Sequence, residues 1–331
     1  MKVKTMLPKL LRRMKKYMNS ENVKQQILEF LWQAKDTPVS GVKLSSLLNI
    51  SRVAIWKHIQ ALKESGIDIQ SGPKGYTLSN PDDLLMPFCF KKEYKEKIFH
   101  FQQLESTMDE ARRLAKADAS HLSVVIAEHQ TLGRGRLNRK WFSSKGGLWF
   151  TLILKPGPLP PPLAYIYNFA ASLSLSTSLK ELFNADVSVK WPNDLLLNGK
   201  KLSGLLSEME TRGDMVEFIN IGIGINVNNC PEKDEPRAIS LKTALGKEVS
   251  RKLILEHFLD TFERQTRNID CSQIINQWKK QTSTIGTHVR IETLGEMHEG
   301  LAVDVEDSGA LIIETGNGET RKIIYGDCFH R

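Results

Sequence analysis

Basic side chains are concentrated in one glycine-containing segment, Gln130–Trp141. Four of them (Arg134, Arg136, Arg139 and Lys140) fall within seven residues. Glycine lets a backbone approach a ligand closely, and clustered cationic groups neutralise phosphate oxygens. The segment therefore predicts a site for a polyphosphate or a nucleic-acid backbone, although it matches neither common glycine-rich nucleotide motif. The alternatives are a mobile loop that only solvates charge, or an arginine–glycine contact to RNA.

A lysine stands at the end of an apolar run in Val189–Asp194, where Lys190 precedes Trp191, Pro192 and Asn193. A strand that ends in a cleft would deliver Lys190 as a point charge to a phosphate or a developing anion. A surface lysine beside a turn explains the same pattern. This segment alone does not decide between the two.

Hydroxyl and amide side chains occur in two further segments. In Glu105–Ala111, Ser106 and Asp109 fit a capping box, so helix capping accounts for both residues without any ligand. In Ile221–Asn228, glycines interrupt an apolar strand that ends in Asn226, whose amide suits the edge of an adenine. For this last segment the alternative is tight strand packing.

Alternating strand and helix patterns place these segments in one domain. Extended apolar runs are predicted at 101–104, 123–127, 148–154, 187–191, 202–209 and 216–227, with helices at 107–117, 163–183 and 250–267. This alternation predicts an α/β (α+β) domain around one mixed sheet. After about residue 283 the period becomes two, with runs at 289–292, 300–305, 310–314 and 322–325. We expect a small, closed, SH3-like β-barrel there.

The N-terminal part has the pattern of a winged helix-turn-helix. Ser20, Ser40 and Ser51 can cap three successive amphipathic helices, the last running to about Lys63. Two extended runs at 67–70 and 76–78 form the wing. Such a fold places its third helix in the major groove of DNA.

The predicted DNA contacts lie on the third helix and the wing tip: Ser51, Arg52, Lys57, Gln60, Lys63 and Lys74. Trp56 fits two placements, packing under the wing or facing the DNA, and we expect the core role. Residues 19–84 carry equal numbers of bases and acids, so bulk charge does not itself support DNA binding. A winged helix that binds protein is the alternative.

Composition and breaks in the pattern set the domain boundaries. We predict a basic, disordered tail at 1–18, the winged helix at 19–80, a linker at 81–95 that follows Asn80-Pro81, the central domain at 96–282 and the barrel at 283–331. The net charge of +8 resides almost wholly in that tail, which has seven bases and no acid. The four cysteines are widely separated, and no apolar run is long enough to span a membrane, so we expect a reducing cytoplasm.

In order and combination, these segments resemble the biotin-protein ligase family, and specifically its bifunctional branch of biotin operon repressors. The matching pieces are Ser106-Thr107, Gln130 with residues 133–136, Arg139 and Trp141, residues 190–194, Lys201 with Gly204, and residues 224–226. The sequence departs from the family at Met108, where asparagine is more usual.

The resemblance implies ATP-dependent activation of biotin to biotinyl-5'-AMP and its transfer to a lysine of a biotin carboxyl carrier protein. It implies biotin contacts from Ser106, Thr107, Met108, Gln130, Arg134, Gly135, Arg136, Trp141 and Lys190, and adenylate contacts from Gly133, Arg139, Asn193 and Asn226. Lys190, Arg134 and Arg136 would be catalytic. Mg²⁺ would accompany ATP, with no protein ligands that we can name.

The family also implies operator DNA and a ligand-linked homodimer as partners, without a membrane. Two alternatives stay open: a lipoate-type acyl ligase, and a transcription factor that senses biotin without catalysis.

Overall fold

A computed structural model describes residues 22–293 and 295–330. The predicted basic tail and the Ser20 cap lie outside these residues. The chain divides into two compact units, with the boundary between Leu84 and Leu85. Within the described ranges, no helix combines the length and the apolar character needed to cross a bilayer.

The first unit is a winged helix-turn-helix. Its helices are α1, described over residues 22–34, α2 (Gly41–Leu48) and α3 (Arg52–Glu64), and its wing is the antiparallel pair β1 (Ile69–Gly72) and β2 (Gly75–Leu78). Ser40 and Ser51 cap α2 and α3 through their side chains, as predicted. Leu31, Ile55 and Ile59 are fully buried and form part of the core between the helices.

Most of the predicted linker packs against the second unit. Leu85, Cys89 and Tyr94 are buried, and the Tyr94 hydroxyl donates to Asp260 at 2.7 Å. Since residues from Leu85 onward belong to the second unit, the prediction of a linker over 81–95 is wrong for most of its length. The sequence signal, Asn80-Pro81, marks the end of the wing, but it does not show that the residues from Leu85 onward are packed in the second unit.

The central sheet of the second unit has seven strands in the order β3-β4-β5-β9-β8-β7-β6. The strands are β3 (Ile98–Phe101), β4 (Ser123–Ala127), β5 (Leu148–Leu154), β6 (Val187–Lys190), β7 (Asp194–Leu197), β8 (Lys200–Arg212) and β9 (Met215–Ile225). Only β3 and β4 pair in parallel, so the prediction of a mixed sheet is confirmed. The helices of this unit are α4 (Lys92–Lys95), α5 (Thr107–Lys116), α6 (Ile166–Phe183), α7 (Leu241–Leu245), α8 (Arg251–Thr266) and α9 (Cys271–Lys279).

Helices cover both faces of this sheet. On one face, Ala111 of α5 packs with Ile153 and Phe218. On the other, Phe258 of α8 meets the edge of Phe150, at 5.5 Å between ring centroids. Because side chains alternate along β5 and β9, Thr151 and Gly222 lie on the α5 face, beside the helix that begins at Ser106.

The C-terminal strands form an antiparallel sheet in the order β13-β12-β11-β10-β14. They are β10 (His288–Glu292), β11 (Met297–Val305), β12 (Leu311–Glu314), β13 (Thr320–Ile323) and β14 (Asp327–His330). An antiparallel C-terminal domain is thus confirmed, but its ladder is open, since the described residues show no pairing between β13 and β14. The sequence pattern missed β14, whose residues do not alternate cleanly between polar and apolar types.

Candidate functional site

A cavity of about 540 Å³ lies between the start of α5, the ends of β6 to β9 and the last strand, β14. This volume is typical of small-molecule sites. All the predicted biotin and ATP contacts except Gly133 line it: Ser106, Thr107, Met108, Gln130, Arg134, Gly135, Arg136, Arg139, Trp141, Lys190, Asn193 and Asn226. Segments separated by more than a hundred residues therefore meet in one cavity.

One end of the cavity is neutral and polar. Gln130 Oε1 accepts from the Thr107 amide at 2.7 Å and from the Thr107 hydroxyl at 3.0 Å, while its Nε2 donates to Ser143 at 2.8 Å. Thr151 donates to the Thr107 hydroxyl at 2.8 Å. These bonds fix the Gln130 amide. Ser143 and Thr151 were missed by the sequence analysis, because neither stands in a recognisable motif.

Met108 is buried beside a glycine of β9. A Cβ added at Gly222 would come within 2.7 Å of the Met108 sulfur. The absent side chain at Gly222 therefore makes room for Met108, which gives the cavity an apolar, flexible wall. The Ser106 hydroxyl accepts from the Met108 amide at 3.3 Å, so Ser106 acts as a helix cap as well as lining the cavity.

Residues 133–141, here called the arginine loop, begin and end beside Gln130 and Ser143 and extend along the cavity. Within it, the Gly135 amide donates to the Arg139 carbonyl at 2.7 Å, and Leu137 has a φ of 50°. Arg134 pairs with Asp109 at 2.6 Å and Arg139 pairs with Asp327 at 2.7 Å. The loop is therefore a closed turn whose outer cations are held by acidic side chains.

Arg136 is the most enclosed cation of the arginine loop. It donates to the Asn193 side chain at 3.1 Å and to the Gly326 carbonyl at 2.9 Å. Burial lowers the pKa of its guanidinium, but arginine stays charged at neutral pH. Asn193 also donates to the Leu205 carbonyl. Asn193 thus connects the loop to β8, in addition to lining the cavity.

Lys190 ends β6 and faces β14. Within the described part of the chain its ammonium makes no ion pair. Burial and then the charge of Lys190 lower the pKa of His330 to about 4, whereas burial raises the pKa of the Cys328 thiol to about 11. Both of these β14 neighbours are consequently neutral at pH 7, and the carboxylates nearest to Lys190 are Asp194, its cross-strand partner, and Asp327, each of which already pairs with another cation.

Trp141 forms a wall of the cavity because two glycines make space for its indole. A Cβ at Gly224 would fall 2.5 Å from Trp141 Nε1, and one at Gly204 would fall 2.9 Å from its Cζ3. Lys201 lies over the ring at 5.4 Å and also pairs with Asp194 at 2.7 Å. The absence of side chains at Gly204 and Gly224 therefore makes the space that the Trp141 indole fills.

Asn226 is buried beyond Gly224. Its side-chain oxygen accepts from Asn229 at 2.9 Å, which leaves the amide nitrogen for a ligand. Gly133 does not line the cavity: a Cβ there would lie 2.4 Å from the Trp141 carbonyl oxygen. Its predicted nucleotide contact is not supported, and close backbone packing explains this glycine instead.

A buried charge network that the sequence did not reveal lies behind Gln130. Glu128 pairs with Arg251 at 2.6 Å and with His100 at 3.1 Å. Burial would raise the pKa of Glu128, but the His100 hydrogen bond and the Arg251 charge outweigh it and lower that pKa to about 2. Arg251 also donates to the Gly147 carbonyl at 3.2 Å, which fixes the turn that leads into β5.

Two residues of the C-terminal domain that lie outside its strands hold the residue after β6. The Trp191 amide donates to Thr284 at 3.0 Å, and its indole Nε1 donates to the Gly309 carbonyl at 3.0 Å. Trp191 is almost completely buried. Lys190, the preceding residue, is thereby fixed between two domains that the sequence analysis treated separately.

The predicted DNA contacts lie on the winged helix as follows. Ser51 caps α3, Arg52 and Lys57 are exposed, Gln60 is half-buried, and Lys74 is exposed at the wing tip. Lys63 donates to Ser71 of the wing at 2.9 Å, so it braces the wing. The expectation that Trp56 packs in the core is wrong, since 53% of it is exposed. Trp56 lies about 100° around α3 from Ile55, outside the stripe of buried residues Ile55, Ile59 and Leu62.

Family profiles match three parts of the chain. The biotin/lipoate A/B protein ligase family matches residues 98–226, an HTH domain matches 23–77, and the biotin protein ligase C-terminal domain matches 284–331. The three matches follow the structural elements described above in chain order.

Characterised relatives extend the likeness over nearly the whole chain. The bifunctional ligase/repressor BirA of Bacillus subtilis is 34% identical over 319 residues, covering 92% of this chain and 98% of the relative. BirA of Escherichia coli is 30% identical over 293 residues, covering 83% and 88%. A biotin protein ligase from Aquifex aeolicus, solved with biotin and ATP, is 29% identical with a TM-score of 0.61, covering 71% of this chain and 98% of that structure.

Proposed function

From its membership of the biotin/lipoate A/B protein ligase family, which the relatives and profiles establish, we propose that the chain activates biotin with ATP to biotinyl-5'-AMP. It then transfers biotin to a lysine of a biotin carboxyl carrier protein, the activity of a biotin-[acetyl-CoA-carboxylase] ligase. One observation carries this proposal. The cavity has a neutral polar end at Thr107 and Gln130 and a cationic end at Arg136 and Lys190. That polarity matches a ligand with a ureido ring and a carboxylate tail.

The neutral end suits the ureido ring, which needs donors and acceptors within an apolar slot. Ser106, Thr107 and Gln130 supply them, and Met108 and Trp141 supply apolar walls. The fixed orientation of the Gln130 amide, set by Thr107 and Ser143, favours one placement of the ring.

Adenylation brings two anions together. The biotin carboxylate is already ionised at neutral pH, so its oxygen attacks the α-phosphate without a general base and pyrophosphate leaves. The charge that develops on the phosphoryl oxygens is stabilised by Lys190 and Arg136, and each such group is worth about 3 kcal/mol. Arg134 and Arg139 contribute once phosphate oxygens displace Asp109 and Asp327 from them. The amide nitrogen of Asn226 is the proposed adenine contact.

Mg²⁺ would arrive on the ATP phosphates. Among the residues that the structure describes, no three His, Cys, Asp or Glu side chains group as metal ligands. The described residues therefore supply no three-ligand site for the ion, and we derive no step through a protein-bound metal.

Transfer requires a neutral acceptor amine. Because its unperturbed pKa is near 10.4, the acceptor ammonium first loses one proton. The neutral amine then attacks the acyl carbon of the mixed anhydride, AMP leaves with the bond electrons, and the nitrogen gives up a second proton as the amide forms. No cysteine intervenes, and the pKa of the one thiol that lines the cavity, Cys328, is raised.

The test is biotin- and ATP-dependent labelling of a carboxyl carrier domain by the purified protein. We expect labelling with biotin and not with lipoate, and pyrophosphate release that needs biotin. Lys190→Ala should abolish both, while Lys95→Ala, at an exposed site on α4, is the matched control. Labelling by lipoate, or adenylation that survives Lys190→Ala, would contradict the proposal.

The winged helix supports repression of transcription as the second activity. We infer that biotinyl-5'-AMP promotes a homodimer, so that two winged helices meet a two-fold symmetric operator. Sedimentation with and without biotin plus ATP tests the dimer, and operator gel shifts under both conditions test the linkage. Equal affinity in both conditions would refute that linkage. A cytoplasmic location remains a prediction.

A further inference from the structure

The helix α3 exposes two large apolar side chains. Val53 is 64% exposed and Trp56 is 53% exposed. Together with Gln60 they occupy positions i, i+3 and i+7, which lie on one face of a helix. Water contact at such side chains is unfavourable, by about 25 cal/mol for each Å² of apolar surface. A monomer gains nothing from this exposure, so the face points to a binding partner.

The surroundings of this face identify the class of partner. Arg52 and Lys57 on the same helix are exposed, and Lys74 is exposed at the wing tip. Lys63 donates to Ser71, which ties α3 to the wing. A purely apolar protein surface would leave these cations unpaired, whereas DNA offers phosphates to them and base edges to the residues between them.

Among the base edges of the major groove, thymine alone carries an apolar group, its C5-methyl. A glutamine suits adenine, since its amide can bond adenine N6 and N7 together. Guanine is most often read by arginine or lysine, and the centre of this face carries neither. We propose that Val53 and Trp56 contact thymine methyl groups, next to an adenine read by Gln60. This inference rests on the proposed binding of DNA.

The experiment uses the full chain with biotin and ATP. A duplex library with a randomised central segment is selected for binding, and one selected duplex is remade with single thymines replaced by deoxyuridine, which lacks only the methyl group. We expect one or more replacements to weaken binding about fourfold, the effect of one buried CH₂-sized group. Trp56→Ala should remove the difference at one of these thymines, and Val53→Ala at a neighbouring one.

Controls separate the inference from the proposed function. Leu47→Ala removes a similarly exposed side chain from α2 and should keep the full sensitivity to deoxyuridine. Thermal unfolding verifies that each variant is folded. Selected duplexes that bind equally well with thymine or deoxyuridine would overturn the inference while leaving DNA binding intact. Failure to select any duplex would overturn both the recognition of thymine methyl groups and the proposed binding of DNA. Loss of self-association in Trp56→Ala, with unchanged sensitivity to deoxyuridine, would assign the face to a second copy and reject methyl recognition.

Discussion

Substituting alanine for a glycine of β9 should deform the adenylate site without touching a charged group. At Gly224 the new Cβ would lie 2.5 Å from Trp141 Nε1 and 2.8 Å from its Cζ2. Gly204 and the edge of Trp149 bound the indole on its other sides, so it cannot move toward the sheet or toward Trp149. The Trp141 ring must therefore move into the cavity.

The cost follows from the size of the overlap. Overpacking of this kind costs about 1–3 kcal/mol. If the cost appears as weakened ligand binding, affinity falls about 5- to 150-fold. At Gly222, two residues along the same face, the Cβ would meet the Met108 sulfur at 2.7 Å, but a methionine side chain can rotate. We therefore expect Gly222→Ala to lose less than about fivefold.

The assay is ATP- and biotin-dependent pyrophosphate release, with calorimetry for biotin alone. Gly224→Ala should weaken biotin binding through Trp141, raise the KM for ATP through the neighbouring Asn226, and lower kcat/KM within the range above, while Gly222→Ala should weaken biotin binding by the smaller factor. Replacing Trp141 with phenylalanine in the Gly224→Ala background should restore part of the ATP affinity, because the smaller ring lacks the clashing atoms.

Two results would refute this reasoning. The first is a normal KM for ATP in Gly224→Ala. The second is a double variant no better than the single one, since relief of the overlap would then have no effect.

Three shorter predictions concern charge and domain contacts. Lys190→Ala should lose biotinyl-adenylate synthesis, by at least about a hundredfold, with an unchanged urea midpoint; a normal rate of synthesis would show that the Lys190 ammonium is not used. Glu128 has its pKa lowered from 4.5 to about 2, so its stabilising contribution is present above about pH 4.5 and is lost as the pH falls toward 2. Glu128→Gln should therefore cost about 3 kcal/mol of unfolding free energy at pH 7 and flatten the acid dependence in urea titrations; an unchanged pH profile would contradict this. Trp191→Phe leaves the Gly309 carbonyl without its donor and should cost about 1–3 kcal/mol; thermal unfolding identical to the parent protein would show that this contact is not stabilising.

The sequence predicted those parts of the fold that follow from local pattern. Ser51 capped a helix where expected, and the runs at 123–127 and 148–154 are the strands β4 and β5. The run at 101–104 was misplaced, because β3 ends at Phe101 and Leu104 only bridges to Gln130. Periodicity does not reveal where a ladder stops when apolar residues continue beyond it.

Within the site, the sequence located residues but not their partners. It singled out Lys190, but the neutral Cys328 and His330 beside it come from a strand that had no signal. Likewise, nothing local to Glu128 indicates that Arg251 lies within 2.6 Å. Such pairings depend on tertiary packing, which a single sequence without periodic or motif constraint does not specify. Trp56 shows the converse error, since apolar type was taken as a sign of burial.

The last strand also bears on when this protein first becomes active during its synthesis. Arg136 depends on the Gly326 carbonyl, and Arg139 on the Asp327 carboxylate, so both cations lack these partners until translation has passed those codons. A nascent chain still attached to the ribosome would have the polar end of the cavity long before the anion-handling end is complete.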